Sequence, residues 1–385
     1  MRALILDPGW SRGALAAVRS LGRAGWEVGL GLPGVDGLAM HSRYVTHLHP
    51  VPPPDVSEAG LVAAVAAACR RIGYDVVFAA GDAEVLALSA LRDRIPTAVP
   101  YPDDEAVRRL FDKLELAQLA SAAGLATPEV FVADEATLAG VRSPVVVKER
   151  LHTRRAPAGT SRVEARFATG ADEAREAAAD VRAAGGDPVF QLVVPGDLLA
   201  LTVLRDRNGI NVGRVQQIAG RIWPVPAGIS VRAYTTDVDE TLAKGVDRLL
   251  DSIGWWGLAQ AQFLVPDDGV PQLIDVNARY YGSLALACSA GVDLPLMWAQ
   301  IAVGEHVSPV ADAPADVRYQ WLEGDVRRAV GQRSGGLLRD LVGTFRSSAG
   351  ATHSIRDRRD RAPSRHYVGH LVGRAGRKLR HRGRR

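Results

Sequence analysis

A chain of 385 residues, 47 % apolar and 23 % charged, with 39 glycines and 22 prolines, is neither disordered nor fibrous and is long enough for two or three cores. Two cysteines, Cys69 and Cys288, cannot make a disulfide scaffold or a four-ligand zinc site, which points to a reducing compartment. Residues 346–385 hold 13 basic and two acidic side chains, a net of +11 that leaves −7 for the rest of a chain of net charge +4, which excludes a main fold built to bind nucleic acid.

In chain order, residues 2–7 read as a strand, followed by a Pro-Gly turn and a helical pattern from Gly13 to Gly25 with Leu15, Val18 and Leu21 near helical spacing. The start is too short and too quickly polar for a signal peptide, and no run approaches the roughly 18 apolar residues of a membrane span, so a cytoplasmic protein is expected. A strand at Val28–Leu32, a helix around Leu61–Ile72 and a strand at Asp75–Ala79 predict βαβ units on a parallel sheet. The turn Asp7-Pro-Gly-Trp-Ser-Arg-Gly13 is not a GxGxxG fingerprint, so no nicotinamide cofactor is expected.

Near residue 100 the texture changes. A helix starts at Tyr101-Pro-Asp-Asp-Glu105 and runs to Gly124. A strand at Val130–Val132, a helix at Glu135–Ala139, a strand at Val145–Val147, a helix at Asp172–Ala184 and a strand at Val189–Val194 form a small α+β unit. A hairpin about Asn208-Gly209, a Pro- and Gly-rich loop from Trp223 to Gly228 and a helix from Asp239 to Ile253 follow. Only four of the 47 basic residues are lysines, so each invites a reason; Lys244 lies opposite the apolar face of its helix and Lys378 lies in the tail, leaving Lys113 and Lys148.

Gly257 to Asn277 reads as a hairpin with Asp268-Gly269 as a two-residue type I′ turn. That turn sets Pro266 opposite Pro271, Gln262 opposite Asp275 and Gln260 opposite Asn277. Gln262, Asp275 and Asn277 then share a face as oxygen donors of the kind Mg²⁺ prefers, or form a plain solvated polar face. Arg279 extends the same line. Elsewhere, Cys288 reads as a small buried thiol, Trp255-Trp256 as core, and the nine histidines show no HExxH or other metal spacing. The tail from Arg356 reads as a partly disordered solubilising end or an amphipathic helix for an acidic surface.

The ordered series Phe111-Asp-Lys113 with Gly124 and Pro128, Pro144-Val-Val-Val-Lys148, Gln191-Leu-Val-Val-Pro-Gly-Asp197 and Gln262 to Asp275-Val-Asn-Ala-Arg279-Tyr-Tyr-Gly-Ser283 resembles the ATP-grasp superfamily. Within it, the series is most similar to the carbamoyl-phosphate-synthase-like and carboxylate-amine ligase branch. The resemblance implies an α/β chain: an N-terminal Rossmann-like (pre-ATP-grasp) domain at 1–99, a two-lobed α+β ATP-grasp domain with a small lobe at 100–188 and a large lobe at 189–310, a helical segment at 311–345 and a basic C-terminal tail at 346–385.

It further implies that Lys113 and Lys148 reach the phosphates of ATP, as compact ammonium charges suit. Gln191 to Asp197 would be the hinge, with the backbone at Leu192 to Val194 reading adenine and Asp197 near the ribose; the family usually has Glu at the Leu192 position. Gln262, Asp275 and Asn277 match metal ligands for Mg²⁺ (or Mn²⁺), more often Glu, Glu and Asn, and Arg279 matches the arginine that stabilises the transferring phosphoryl group. The segment His152–Arg162 would close over the phosphates. The loop 223–232 would meet the substrate through Gly228, Ser230 and Arg232, together with Ser283, although relatives place their arginine where Ala233 sits. The implied reaction is ATP-dependent joining of a small-molecule carboxylate and an amine through an acyl phosphate. A relative that binds nucleotide without turnover and an interaction protein acting through its tail are the alternatives; a homodimer is left open, and nucleic acid or an anionic membrane is expected only at the tail.

Overall fold

The computed structural model describes residues 1–34, 36–134, 137–138, 144–151, 165–225, 228–332 and 336–371. The first unit is a parallel sheet of β1 (Arg2–Leu6), β2 (Glu27–Leu32), β3 (Val45–Pro50) and β4 (Val76–Ala79) in the order β3-β2-β1-β4. Helix α1 (Arg12–Arg23) begins where the Ser11 side chain accepts from the Ala14 N–H at 3.1 Å, and buries Leu15, Val18 and Leu21 completely. Helix α2 (Glu58–Ile72) is capped by Ser57 and stopped by Gly73 in the left-handed conformation. The strand order reverses between β1 and β4. In an open α/β sheet, the crevice beyond the strand ends at such a reversal is where ligands bind, and here it is framed by the Asp7–Ser11 turn and by the start of α3 (Asp82–Ala90).

The helix expected from residue 101 to Gly124 is two helices. Asp112 ends α4 (Asp104–Phe111) and caps α5 (Lys113–Ala122), accepting from the Leu114 and Glu115 N–H groups at 2.9 and 3.2 Å. A carboxylate that caps a new helix start competes with continuation of the old helix, and the break sets Lys113 at the first helical position. The second unit is a sheet in the order β5-β8-β6-β7, made of β5 (Val130–Val132), β6 (Val145–Glu149), β7 (Arg166–Ala168) and β8 (Pro188–Leu192), backed by α6 (Ala171–Ala183). Its core of Val145, Val147, Ala174, Ala177, Val181 and Phe190 takes the odd positions of β6, so Val146 and Lys148 face away from it. The expected helix at 135–139 lies largely outside the described residues, as does the whole of 152–162.

The third sheet has seven strands in the order β13-β12-β9-β10-β11-β14-β15: β9 (Asp197–Arg205), β10 (Asn211–Trp223), β11 (Ile229–Thr236), β12 (Gly257–Val265), β13 (Gln272–Asn277), β14 (Arg318–Gln320) and β15 (Thr352–His353). Against it pack α7 (Glu240–Asp251), α8 (Leu284–Ser289) and α9 (Leu294–Ala302), with Trp255 and Trp298 fully buried. Lys244 is exposed on α7, and Cys288 lies on α8 with burial pushing its thiol well up.

The Asp268-Gly269 turn is not type I′. That turn needs positive φ at both residues, whereas Gly269 alone has it (+78°) and its N–H bonds to the Pro266 carbonyl at 2.9 Å. Phe263 faces Leu273 and Leu264 faces Gln272, one residue off the expected register. An irregularity between Gln262 and Phe263, with Ile274 as the extra residue, then restores it: Gln262 faces Asp275 and Gln260 faces Asn277 as counted.

The basic tail is not free over its described part. After α10 (Leu322–Gln332) and α11 (Leu337–Ser348), β15 joins the large sheet, and residues 362–371 are helical. Asp360, 1 % exposed, accepts from Arg19 Nε at 2.8 Å, Ser42 Oγ at 2.8 Å and the Arg43 N–H at 3.0 Å, pinning this segment to the first unit. Net positive charge made the segment read as solvated; its two acids are the residues that anchor it. Removing one partner of a buried ion pair leaves the other charge stranded at a cost of about 3–5 kcal/mol. Asp360→Ala is therefore expected to lower the urea midpoint sharply and to expose residues near 356–371 to limited proteolysis; an unchanged melt and digest would show that this anchor is dispensable.

Candidate active site

The site forms where three elements meet. Helix α5 docks on the end of β6: the Lys113 N–H donates to the Arg150 carbonyl at 3.1 Å, and Arg150 Nε donates to Asp112 at 2.6 Å. This joint brings the two expected lysines to one cleft. The Lys113 ammonium, on a side chain 4 % exposed, donates to the Asp275 carboxylate of β13. On β6 the alternation that buries Val147 turns Lys148 to the cleft, where its Nζ donates to Gln191 Oε1 of β8 at 2.6 Å; Val146 faces Gln191, so Lys148 and Gln191 share a face.

The charges differ in how they are balanced. Lys113 has a carboxylate, while the direct partner of Lys148 is a neutral amide. Burial is the main cause that lowers Lys148 to about 8, with Lys113 adding to it and Asp275 opposing. Arg279 donates to Asp82 of α3 through Nε at 2.6 Å and Nη2 at 3.2 Å, and through Nη2 to Asn277 Oδ1 at 3.1 Å. Burial works against its charge, but Asp82, with Asp275 and Glu84, more than offsets this and the pKa is raised. Glu84, beside it, is pushed up to about 7, chiefly by burial, with Asp82 adding and Arg279 opposing.

Gln262, Asp275 and Asn277 all lie part-exposed along one face of the β12-β13 pair. Asp275 is shared with Lys113, and Asn277 Nδ2 donates to Gln260 Oε1 at 3.3 Å, leaving its Oδ1 toward Arg279. One carboxylate and two amide oxygens on one edge suit a hard cation that keeps other ligands from a phosphate or water.

Other expected residues fall differently. In the hinge, the Leu192 N–H is already given to the Glu129 carbonyl at 3.0 Å and the Val193 N–H to Pro144 at 3.2 Å, so neither donor is free for a purine. The Val194 N–H has no such bond among the described residues, and Asp197 is exposed at the start of β9. Arg232 is engaged by Asp325, which is fully buried and also holds Arg221 at 3.2 Å, so Arg232 is a strut between β11 and α10. Ser283 bonds the Gln217 amide at 2.9 Å. Gly228 precedes β11 and Ser230 is its second residue, at the edge of a loop whose residues 226–227 lie outside the described set.

Three residues of this region were missed by the sequence reading: Asp82, Glu84 and Arg12. The Arg12 guanidinium stacks over Trp321 at 4.0 Å and donates to Tyr319 Oη at 3.2 Å, and a side chain on Gly282 would meet it at 2.7 Å. The signal was available, because Arg12 and Asp82 follow the ends of β1 and β4, where the strand order reverses.

Residues 203–325 match a family model described as ATP-grasp in the biosynthetic pathway with Ter operon. The structure superposes on the biotin carboxylase domain of 2-oxoglutarate carboxylase from Hydrogenobacter thermophilus, solved with MgADP, ADP and bicarbonate (TM-score 0.64, 14 % identity, 82 % of this chain and 73 % of that one). It also superposes on the N5-carboxyaminoimidazole ribonucleotide synthetase of Thermus thermophilus (0.59, 19 %, 82 % and 81 %) and on an L-amino acid ligase from Bacillus licheniformis (0.58, 18 %, 80 % and 77 %). No curated protein matches by sequence. Residues 203–325 thus carry an ATP-grasp family match, and the chain shares its fold with these structures.

Because Lys148 is lowered in the fold, its charged form costs stability at neutral pH. That cost is fully present below about 8 and is relieved as the pH rises from there toward the unfolded value of 10.5. Lys148→Met is accordingly expected to raise the thermal midpoint by several degrees at pH 7, with the gain shrinking by pH 10. A midpoint unchanged at both pH values would show that the ammonium is not under strain.

Proposed function

We propose that the protein is an ATP- and Mg²⁺-dependent, ADP-forming ligase that activates a carboxylate as an acyl phosphate and joins it to an amine. The observation that carries this reading is the convergence of the Lys113 and Lys148 ammonium groups, Asp275 and Arg279 on one cleft between the small lobe and the β12-β13 edge. The fold shared with MgADP-bound and ligase structures supports it, and the first parallel sheet is read as the N-terminal Rossmann-like unit.

Lys148 and Lys113 would hold the polyphosphate of ATP, and Gln262, Asp275 and Asn277 would hold Mg²⁺, which when bound neutralises phosphate charge. The substrate carboxylate oxygen attacks the γ-phosphorus, the bond to the β,γ-bridging oxygen breaks, and ADP leaves. The amine nitrogen then attacks the acyl carbon, expels inorganic phosphate and loses a proton. Arg279, held by Asp82 against rotation, would meet the charge that builds on the transferring phosphoryl group; a fixed cation costs no reorganisation as the reaction proceeds. Asp82 and Glu84 would then act as positioning residues.

The decisive test is Mg²⁺-dependent ADP release on addition of paired carboxylates and amines, amino acids first. Turnover should appear with a suitable pair and fall at least about 100-fold in Lys148→Ala and Arg279→Ala, the scale of losing one preorganised electrostatic contact. Full turnover in Lys148→Ala would overturn the site. Gln262→Glu, which adds a carboxylate to the ligand edge, should lower the Mg²⁺ concentration for half-maximal nucleotide binding; a rise would take Gln262 out of the metal site.

A further inference from the structure

The anchored C-terminal segment carries a second cluster that the ligase reading does not use. His366 and His370 stand four residues apart on the helix spanning residues 362–371, so both rings leave one face. That face lies against the first unit at Asp36 and at His41, the last residue of a short 3-10 turn (Ala39–His41). His366 Nε2 lies 2.7 Å from Asp36 Oδ1 and His370 Nδ1 lies 3.7 Å from Asp36 Oδ2, while the His41 and His366 ring centroids are 3.7 Å apart. One ligand atom each from Asp36, His41 and His366 falls within 4.8 Å of the others.

We infer that Asp36, His41, His366 and His370 form a binding site for one divalent transition-metal ion of the Zn²⁺ kind, which staples the C-terminal segment to the first unit. Three imidazoles and one carboxylate are a borderline-soft donor set, distinct in kind from the oxygen-only edge of the cleft. A tetrahedral ion with bonds of about 2.0–2.2 Å needs donors on the order of 3.4 Å apart. The two spacings to the Asp36 carboxylate, 2.7 Å from His366 and 3.7 Å from His370, bracket that value. The stacked His41 and His366 rings reach it by turning about χ2, a broad torsion for histidine.

A further observation favours a ligand here. Nε2 of His41 is buried with no hydrogen-bond partner among the described residues, a lone pair or proton that the fold leaves unsatisfied. Trp10 packs against the two helix histidines, its ring 5.8 Å from His366 at 16° and 4.5 Å from His370. The missed sequence signal was the His366-x-x-x-His370 spacing itself.

The test uses the full untagged chain stripped with chelator and titrated with Zn²⁺ by calorimetry and with Co²⁺ by absorbance. One equivalent should bind, with the intense visible bands of four-coordinate Co²⁺. His366→Ala and His370→Ala should each weaken binding by more than about 100-fold, since even outer-shell partners of a metal ligand are worth 10–100-fold. The exposed His306→Ala serves as a control and should change nothing. Zn²⁺ should also slow proteolysis of the C-terminal segment in the unaltered chain and not in the double variant. Absence of stoichiometric binding, or equal affinity in the His366→Ala/His370→Ala variant, would overturn the proposal; neither outcome bears on ligase activity.

Discussion

The pair Arg279–Asp82 ties the molecule's two ends of function together. Arg279 stands just past the β12-β13 edge that carries Asp275 and Asn277, and Asp82 opens α3 at the strand-order reversal of the first sheet. Both side chains are largely buried, and the cost of desolvating the Arg279 charge is offset first by Asp82, with Asp275 and Glu84 adding. The pair joins the first unit to the large sheet, beside the approach of Arg12 to Gly282 and of Gly13 to the Tyr280 and Tyr281 carbonyls, where a side chain would come within 2.7 Å.

How much of this was readable beforehand depends on the range of the forces involved. The β12-β13 pairing at Gln262–Asp275 was legible because period-two alternation and one turn determine it. Yet the turn was misjudged, and the irregularity at Ile274 cancelled the error. Register near a site can thus be right while the path to it is wrong. Lys113 and Lys148 were legible because lysine is scarce in this chain and because the ordered series of motifs around them resembles a known family; the helix break at Asp112 that sets Lys113 was not.

What was not legible is what only tertiary structure decides. No local pattern states that Arg232 spends its charge on Asp325, that the Leu192 N–H is given to Glu129, or that Asp360, in a strongly basic stretch, is the best-buried acid of its segment. Net charge describes solvation on average and is silent about the one residue that finds a partner. The Asp7–Ser11 turn was set aside for lacking a glycine fingerprint, although its place after β1 made it part of the crevice whatever its sequence.

The cleft's charge balance explains why it looks strained in isolation. Lys113, Lys148 and Arg279 face the carboxylates of Asp275 and Asp82, while burial pushes Glu84 up to about 7. Asp275 serves Lys113 and lies beside the metal-type donors, so a cation arriving there must compete with that ammonium. A polyphosphate would relieve both tensions in one step: it accepts the ammonium groups, frees Asp275 for the cation and supplies the remaining oxygen ligands. On the proposed function, cation and polyphosphate are therefore expected to bind with positive coupling, each restoring the partner that the other removes.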